Sequence, residues 1–278
     1  MPNDSHSPLS DLVPAEARRL FRSGELARST SGMCTGYVQA NLAILPAESA
    51  DDFEEMCRLN GQPLPLIERL PVGEYTPRTC ASDADLRTDL GGYMVYDGHS
   101  WSTVPDLLDI WEDDLVSFVI GCSFSAERAL IDAGVQLRHL GLGGGVPIYR
   151  TNRELKPVGK LKGHLVVSMR AIRDAQVETA VRTTAQYPVA HGAPVWIGAG
   201  QDIGCRDGTD PDWGAELSLT TGETPVYWAC GVTPQTIIEE SGISRAMVHL
   251  PGHMFITDIS ENTVVGVSPA DLRVSNGL

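Results

Sequence analysis

From residue 116 onward, short apolar runs alternate with segments that have the composition of helices. A short apolar run is typical of a buried strand, whereas a helix needs a longer segment. The alternation of the two therefore predicts a mixed α/β fold. Glycine and proline, 28 and 18 of 278 residues, fall between the runs rather than in one block, which predicts many loops. The predicted strands are 116–120, 164–169, 193–197, 225–229 and 254–258, and the predicted helices are 125–133 and 234–240.

The first part of the chain has a different pattern. Residues 14–26 and a segment that begins at Ser49 are predicted to be helices, and residues 62–87 contain four prolines and read as a connector. Residues 93–101 predict a hairpin that turns at Asp97-Gly98. No change of composition marks a linker, so we treat residues 1–278 as one region and leave open a division into two lobes.

The charge balance excludes several classes of partner. Lys+Arg 21 against Asp+Glu 36 gives a net charge of -15, whereas binding to nucleic acid or to an anionic membrane surface needs a basic face. We therefore expect a small molecule as the partner, with neither nucleic acid nor membrane, and leave a homo-oligomer open. The first residues lack a secretory signal and no long apolar run follows, so the expected location is the cytoplasm.

The six cysteines lie far apart and form no C-x-x-C pair. This spacing is typical neither of a disulfide framework nor of a zinc site, so we interpret them as reduced thiols and expect no metal.

Two corners of the chain share one design, in which an apolar strand is followed by glycine, cysteine and hydroxyl residues that open a helix. In open α/β sheets, ligands collect where strands end and helices begin, and a helix start attracts anions. The alternative is that the hydroxyls only cap helices and the cysteines are core residues. The candidates for substrate binding are Cys122, Ser123 and Ser125 at the first corner and Gly231 and Thr233 at the second, where Cys230 is also a catalytic candidate.

The segment 248–258 is rich in groups that transfer protons. His253 is the first candidate for a general acid or base, because the usual pKa of histidine lies near neutrality. Asp258 is a candidate for substrate binding, and His249 could join both at a metal, although no H-E-x-x-H motif supports one. The alternative for His253 is a structural hydrogen bond beside a Pro-Gly turn.

Other polar residues also lie next to predicted strands. His191 is a second catalytic candidate. Arg150, Asn152 and Arg170 are candidates for substrate binding, since a guanidinium grips a carboxylate with two hydrogen bonds. For each of them, a surface ion pair or a loop hydrogen bond is the competing interpretation.

The chain resembles the D-glutamate cyclase family of hydro-lyases. The resemblance is carried, in chain order, by GYVQAN (36–41), DLRTDL (85–90), GCSFS (121–125), YRTN (149–152), VVSMR (166–170), HGAPV (191–195), PDWG (211–214), WACGVTPQ (228–235) and PGHMFITD (251–258). It implies a mixed-sheet three-layer α/β/α unit with a smaller two-layer α+β unit and no organic cofactor. It also implies a lyase that reversibly converts D-glutamate into 5-oxo-D-proline with loss of water.

That ring closure requires a base for the α-ammonium group and polarisation of the γ-carboxylate. We hypothesise that Arg150 and the Ser123/Ser125 helix start hold the α-carboxylate, while residues 230–233 polarise the γ-carboxyl group. His253 or His191 would then move protons.

The sequence also departs from the family pattern H-G-A-P-V-H-I-G-D-P. Trp196 replaces the second histidine and Ala199-Gly200 replace Asp-Pro, while Ala126 and Ala171 stand where Phe and Pro are usual. Such changes would alter the polarity and volume of a pocket beside them. The alternatives are therefore a hydro-lyase or cyclase with a bulkier substrate, a small-molecule binding protein without turnover, and neutral drift on a surface loop.

Overall fold

The computed structural model describes residues 9–141, 145–206 and 210–275 and contains two β-sheets with helices around them. The strands are β1 Tyr37–Pro46, β2 Leu66–Arg69, β3 Tyr93–Tyr96, β4 Trp101–Val104, β5 Leu115–Gly121, β6 Ile148–Glu154, β7 His164–Arg173, β8 Trp196–Ile197, β9 Glu223–Ala229, β10 Ala246–His249 and β11 Phe255–Ser260. The α-helices are α1 Pro14–Arg22, α2 Ala47–Leu59, α3 Glu127–Asp132, α4 Val177–Ala185, α5 Thr233–Ser241 and α6 Pro269–Ser275.

The larger sheet has seven strands in the order β2-β5-β1-β10-β3-β4, and β11 also pairs with β1. The smaller sheet has four strands in the order β6-β7-β9-β8. The mixed α/β class is confirmed. Every pairing between described strands is antiparallel, so the rule that ligands collect at the carboxyl ends of parallel strands does not explain this structure.

Strand β1 organises the larger sheet. Nine of its ten residues are buried, and it pairs with β5 along one edge, where Asn41 lies opposite Ile120, and with β10 and β11 along the other. Sequence analysis did not predict this strand. Its apolar run is interrupted by Gln39 and Asn41, two polar residues that share one face because side chains alternate along a strand.

Apolar clusters pack against both faces of the larger sheet. On one face, Phe53 of α2 packs edge-on against Phe118 of β5, with ring centroids 4.8 Å apart. The same cluster includes Ile237 and Ile238 of α5, and this helix also packs against β7 of the smaller sheet. Since α5 contacts both sheets, it sets the position of one sheet against the other.

Several predicted elements are confirmed, although their bounds shift. The hairpin forms as β3 and β4, and the predicted helix 234–240 lies within α5, which ends where Gly242 adopts a left-handed conformation with φ 67°. The predicted helix 125–133 instead starts as a 3-10 turn at Ser123–Ala126 before α3 begins. Within the described residues, no helix has the length and apolarity needed to cross a membrane.

Candidate functional site

The two glycine-cysteine corners meet at one cavity between the sheets. The first corner follows β5 and the second links β9 to α5, and Cys122, Ser123, Cys230 and Gly231 all line the cavity, whose volume is about 130 Å³. One water molecule occupies about 30 Å³ of liquid, so the cavity is suited to a small metabolite. Its remaining polar walls come from Asn41, Ser168 and His249, and its apolar walls come from Phe124, Val146, Ile148, Val232 and Met254.

Asn41 closes one side of the cavity from the middle of β1. Its Nδ2 donates to the carbonyl oxygens of Gly121 at 2.7 Å and Ile120 at 3.4 Å, so the side chain is held against the first corner. The amide packs directly over Gly231, where an added Cβ would overlap Asn41 Cγ and Nδ2. Glycine is therefore required at the second corner for Asn41 to occupy this position.

His249 ends β10 and is buried beside the cavity. Its Nδ1 lies 3.2 Å from the Leu42 nitrogen and 3.3 Å from the Leu42 oxygen, so the backbone of Leu42 can support either neutral tautomer, donating to Nδ1 from its N–H or accepting from Nδ1–H at its carbonyl oxygen. Nε2 is buried and has no hydrogen-bond partner among the described residues. Burial lowers the pKa of His249 to about 4, and the imidazole is neutral at pH 7.

Arg170 lies behind two hydroxyl groups of the cavity wall. Its guanidinium donates to Ser168 Oγ and to Ser123 Oγ, each at 3.2 Å. Because arginine only donates hydrogen bonds, each serine accepts from it and keeps its own proton available. The two hydroxyls thus form a donor pair, backed by a buried positive charge.

Two further buried groups stand behind Arg170. Glu127 Oε1 accepts from Arg170 Nη2 at 2.7 Å and lies 2.8 Å from His139 Nε2. Burial opposes ionisation of this carboxyl, but His139 and Arg170 outweigh that effect and lower the pKa of Glu127 to about 2. Glu127 is therefore a carboxylate at neutral pH and compensates the charge of Arg170.

The cysteines of the two corners are free thiols. Burial raises the pKa of Cys230 to about 11, although backbone N–H groups and Arg170 oppose this shift, and burial also raises the pKa of Cys122. Both thiols are protonated at neutral pH, so neither supplies a thiolate nucleophile.

Ser125 and Thr233, two of the candidates for substrate binding, make structural hydrogen bonds. Ser125 Oγ accepts from the Gln39 nitrogen at 2.9 Å, and Thr233 Oγ1 donates to the Cys230 carbonyl oxygen at 2.6 Å. These bonds tie each corner to a neighbouring segment, and neither side chain lines the cavity.

The two predicted catalytic histidines also lie outside the cavity wall. His253 is half-buried beside Gly91, and its Nδ1 lies 3.1 Å from the Pro251 carbonyl oxygen. His191 is fully buried, with Nδ1 2.9 Å from the Gln62 carbonyl oxygen, and it lines a separate cavity of about 360 Å³. The structure brings His249 to the small cavity in their place.

Three predicted substrate ligands lie away from the cavity. Arg150 makes two hydrogen bonds to Glu239 of α5, at 2.7 and 3.1 Å, and its guanidinium lies 4.9 Å from the Trp213 ring centroid. Asp258 pairs with Arg18 at 3.0 Å. Asn152 is exposed on β6.

The loop that departs from the family pattern does not contribute to the cavity either. Trp196 lies in β8 at the edge of the smaller sheet, and its Nε1 donates to the Ala199 carbonyl oxygen at 2.9 Å. Ala126 and Ala171 are buried but are not part of the cavity wall. These substitutions therefore leave the immediate lining of the cavity unchanged.

No group of three or more His, Cys, Asp or Glu side chains suited to a metal ion occurs in residues 9–141, 145–206 and 210–275. The proposed convergence of His249, His253 and Asp258 at a metal is not found, because Asp258 is turned toward Arg18.

Three polar side chains of the cavity had received no substrate-binding or general-base role in sequence analysis: Asn41, Ser168 and His249. Asn41 and Ser168 had a signal that could have identified them, because each is a small polar residue inside an apolar strand. His249 had a weaker signal, since it ends an apolar run whose pairing was unknown.

Comparison with known proteins identifies the family. A sequence model of the D-glutamate cyclase family matches residues 116–258. A protein from Rubrobacter xylanophilus named "Putative hydro-lyase" is 49% identical over 245 residues, which cover 88% of this chain and 95% of that protein. A protein of the same name from Nocardioides sp. is 46% identical over 264 residues, which cover 95% of this chain and 97% of that protein.

A solved structure of a nitrogen repressor-like protein from Methanococcus jannaschii overlaps with a TM-score of 0.36 at 10% identity and covers 85% of this chain and 94% of that chain. That overlap is too low to bear on the site. The sequence relatives are much closer and extend over almost the entire chain. The chain belongs to the D-glutamate cyclase family, and its relatives are named as hydro-lyases.

Proposed function

We propose that this protein is a hydro-lyase that closes a ring by removing water from a small amino-acid-like carboxylate, with D-glutamate to 5-oxo-D-proline as the reaction. The proposal rests on the side chains that line the small cavity. Two features line the same space. One is a neutral imidazole whose Nε2 has no partner in the described part of the chain, and the other is a pair of hydroxyls on a buried guanidinium.

The reaction joins the α-nitrogen to the γ-carboxyl carbon. A C–N bond forms, a C–O bond of the γ-carboxylate breaks, and the two protons lost by the ammonium group leave with that oxygen as water. At neutral pH the ammonium is not a nucleophile and the carboxylate is a poor electrophile, so the enzyme must remove a proton from one and donate protons to the other.

His249 is the proposed general base. Its imidazole is already neutral, and the Leu42 carbonyl oxygen can accept from Nδ1–H and so stabilise the tautomer that leaves Nε2 free to accept a proton. The imidazolium that forms can then return this proton to the departing oxygen. His253 and His191, favoured from sequence, remain predictions with less support, because neither lines this cavity.

Ser123 and Ser168 are the proposed carboxylate ligands. Their hydroxyls can donate to the carboxylate while Arg170 supplies positive charge from behind. The protonated thiols of Cys122 and Cys230 can serve as weak donors on the same wall. Holding the substrate in a folded conformation brings the amine near the γ-carboxyl group, which is a large part of the rate advantage of an intramolecular reaction.

The cavity volume favours a small substrate over the bulkier one considered above. Pockets for drug-sized ligands measure about 300 Å³ or more, whereas this cavity measures about 130 Å³. The family departures at Trp196 and Ala199 do not enlarge it, because they lie in the smaller sheet and its loop.

Incubation with separate D- and L-glutamate, followed by mass spectrometry, tests the proposal. We expect D-glutamate to lose one water and 5-oxo-D-proline to regain it. Ser168→Ala should reduce turnover about tenfold or more by removing one carboxylate donor. Ser218→Ala, at an exposed serine, is the matched control and should leave turnover unchanged. Absence of turnover with both enantiomers, in both directions, would contradict the proposed reaction.

A further inference from the structure

Arg170 is the inner end of a buried series of hydrogen-bonded side chains that extends away from the cavity. The chain runs from His139 through Glu127 to Arg170, and the side chains of these residues are 1%, 7% and 2% exposed. One carboxylate oxygen, Glu127 Oε1, lies within hydrogen-bond distance of both His139 and Arg170, at 2.8 and 2.7 Å. Three separate elements thus meet at one oxygen atom.

The outer end of the chain lies at another cavity. His139 lines a space of about 900 Å³ beside the N-terminal segment, and its Nδ1 has no partner among the described residues. Gly145 lines both this space and the small cavity. The buried series from His139 to Arg170 therefore connects the walls of two neighbouring cavities.

Stability alone does not account for this arrangement. Apolar residues of similar volume can replace a buried ion pair with little loss of stability, or even a gain, because burying charges costs solvation free energy. Here the guanidinium is also directed at two hydroxyls of the cavity wall, Ser123 and Ser168. A guanidinium without a fixed partner on its other side would be free to turn away from them.

We propose that Glu127 and His139 are positioning residues, which hold Arg170 against Ser123 and Ser168 and so build the carboxylate subsite of the cavity. The inference rests on the proposed function, since it requires the cavity to bind a carboxylate. Neither positioning residue lines the cavity, so both act through Arg170.

The other titratable groups near this chain are consistent with that role. Cys122 and Cys230 lie close to Arg170 and are protonated thiols. His191, also near Arg170, is neutral at pH 7 because burial lowers its pKa to about 4. Glu261 lies near Glu127, and burial raises the pKa of Glu261 to about 8. Glu127, whose pKa is lowered to about 2, is therefore the principal carboxylate that neutralises Arg170.

Two substitutions at Glu127 distinguish the effect of its negative charge from the effect of the hydrogen bonds by which it positions Arg170. Glu127→Gln keeps an oxygen that can accept from both Arg170 and His139, whereas Glu127→Ala removes it. We expect Glu127→Ala to weaken binding of 5-oxo-D-proline, measured by isothermal titration calorimetry, by about tenfold or more. Glu127→Gln should keep the affinity within about threefold of the wild type, while its Tm falls because the buried guanidinium loses its counter-charge.

Asp132→Ala is the matched control, because Asp132 is on the same helix and pairs with Arg128 at the surface. It should change neither affinity nor Tm appreciably. If Glu127→Ala does not fold, His139→Leu and His139→Gln provide the same comparison, since glutamine can still donate to Glu127 and leucine cannot.

Three results would overturn the inference. The first is wild-type affinity in Glu127→Ala or His139→Leu, which would mean that Arg170 keeps its position without Glu127 and His139. The second is loss of affinity in Glu127→Gln in proportion to its loss of Tm, which would indicate a structural role alone. The third is no binding of 5-oxo-D-proline to the wild type. Binding without turnover, in contrast, would contradict only the proposed reaction.

Discussion

His249 and His253 differ in environment although they are close in sequence. His249 ends a fully buried strand and is held at Nδ1 by the backbone of Leu42, while His253 follows the Pro251-Gly252 turn and is half-buried. Burial lowers the pKa of both rings. Of these two histidines, His249 alone lies in the cavity wall and has a buried ring nitrogen without a partner among the described residues.

At the residue scale, we predict that His249→Asn abolishes most of the activity without unfolding the protein. Asparagine can reproduce the hydrogen bond of Nδ1 to Leu42, but it has no atom in the position of Nε2. Loss of a general base should lower kcat about 10²-fold to 10⁴-fold, while Tm changes little. Turnover measured by mass spectrometry, with thermal unfolding in parallel, checks both parts.

His253→Asn is the control for this experiment. It removes the other histidine of the segment, which lies beside Gly91 and away from the cavity wall. We expect kcat within about threefold of the wild type. Equal losses in the two variants, or the larger loss in His253→Asn, would refute the assignment of the base to His249.

At the scale of elements, the corner between β9 and α5 depends on close backbone approach. Gly231 has no side chain, and the Asn41 amide of β1 occupies the space in which a Cβ would lie. The next residues start α5, which packs against both sheets. A change at this corner therefore acts on the cavity and on the contact between the sheets.

We predict that Gly231→Ala displaces Asn41 and damages the site. Overpacking of this kind costs about 1–3 kcal/mol of unfolding free energy. Substrate affinity should fall as well, because Asn41 would lose its place in the cavity wall. Denaturant unfolding and calorimetric binding of 5-oxo-D-proline measure the two effects.

Gly61→Ala provides the comparison, because an added Cβ there would have as its nearest neighbour the Cys57 carbonyl oxygen, 3.9 Å away. We expect wild-type stability and affinity in this variant. If Gly231→Ala behaves in the same way, the contact between Asn41 and Gly231 does not shape the site.

At the scale of the whole molecule, the protein buries ionisable groups whose pKa values differ from those of the unfolded chain. Burial lowers the pKa of both His191 and His249 from 6.5 to about 4. Between these pH values the unfolded chain binds protons that the native state does not, so stability decreases as pH falls. Below pH 4.5, protonation of Glu127 in the unfolded chain extends the loss, because the native pKa of this carboxyl is about 2.

We predict that the free energy of unfolding falls as pH is lowered from 6.5 to 4. Each histidine contributes up to roughly 3 kcal/mol, since one pKa unit corresponds to about 1.4 kcal/mol. His249→Asn and His191→Asn should each flatten this dependence. Asparagine suits position 191, where the backbone has φ 69°, because it tolerates the left-handed region. Denaturant unfolding at several pH values makes the measurement.

His99→Asn is the control for the pH series, because His99 is exposed. It should show the same decrease as the wild type. If the unfolding free energy of His249→Asn and of His191→Asn depends on pH as steeply as that of the wild type, neither imidazole is kept neutral by the fold.

Local pattern accounts for much of the fold. The hairpin 93–101 and helix 234–240 could be predicted because turn residues and caps act on their nearest neighbours. Strand β1 was missed, because Gln39 and Asn41 break its apolar run although both are buried and hydrogen-bonded. The ion pair of Arg150 could not be read from local pattern either, since its partner Glu239 lies on a distant helix.

Sequence alone was sufficient for the mixed α/β class, the family and the two corners that line the cavity, because these follow from periodicity and from residues that occur together in short motifs. The antiparallel pairing, and with it the meeting of Asn41, Ser168 and His249, depended on the three-dimensional fold. The choice of His249 over His253 did so too, because burial and hydrogen-bond partners come from segments far apart in the chain. A residue's chemistry is local, whereas its pKa and its neighbours are properties of the folded protein.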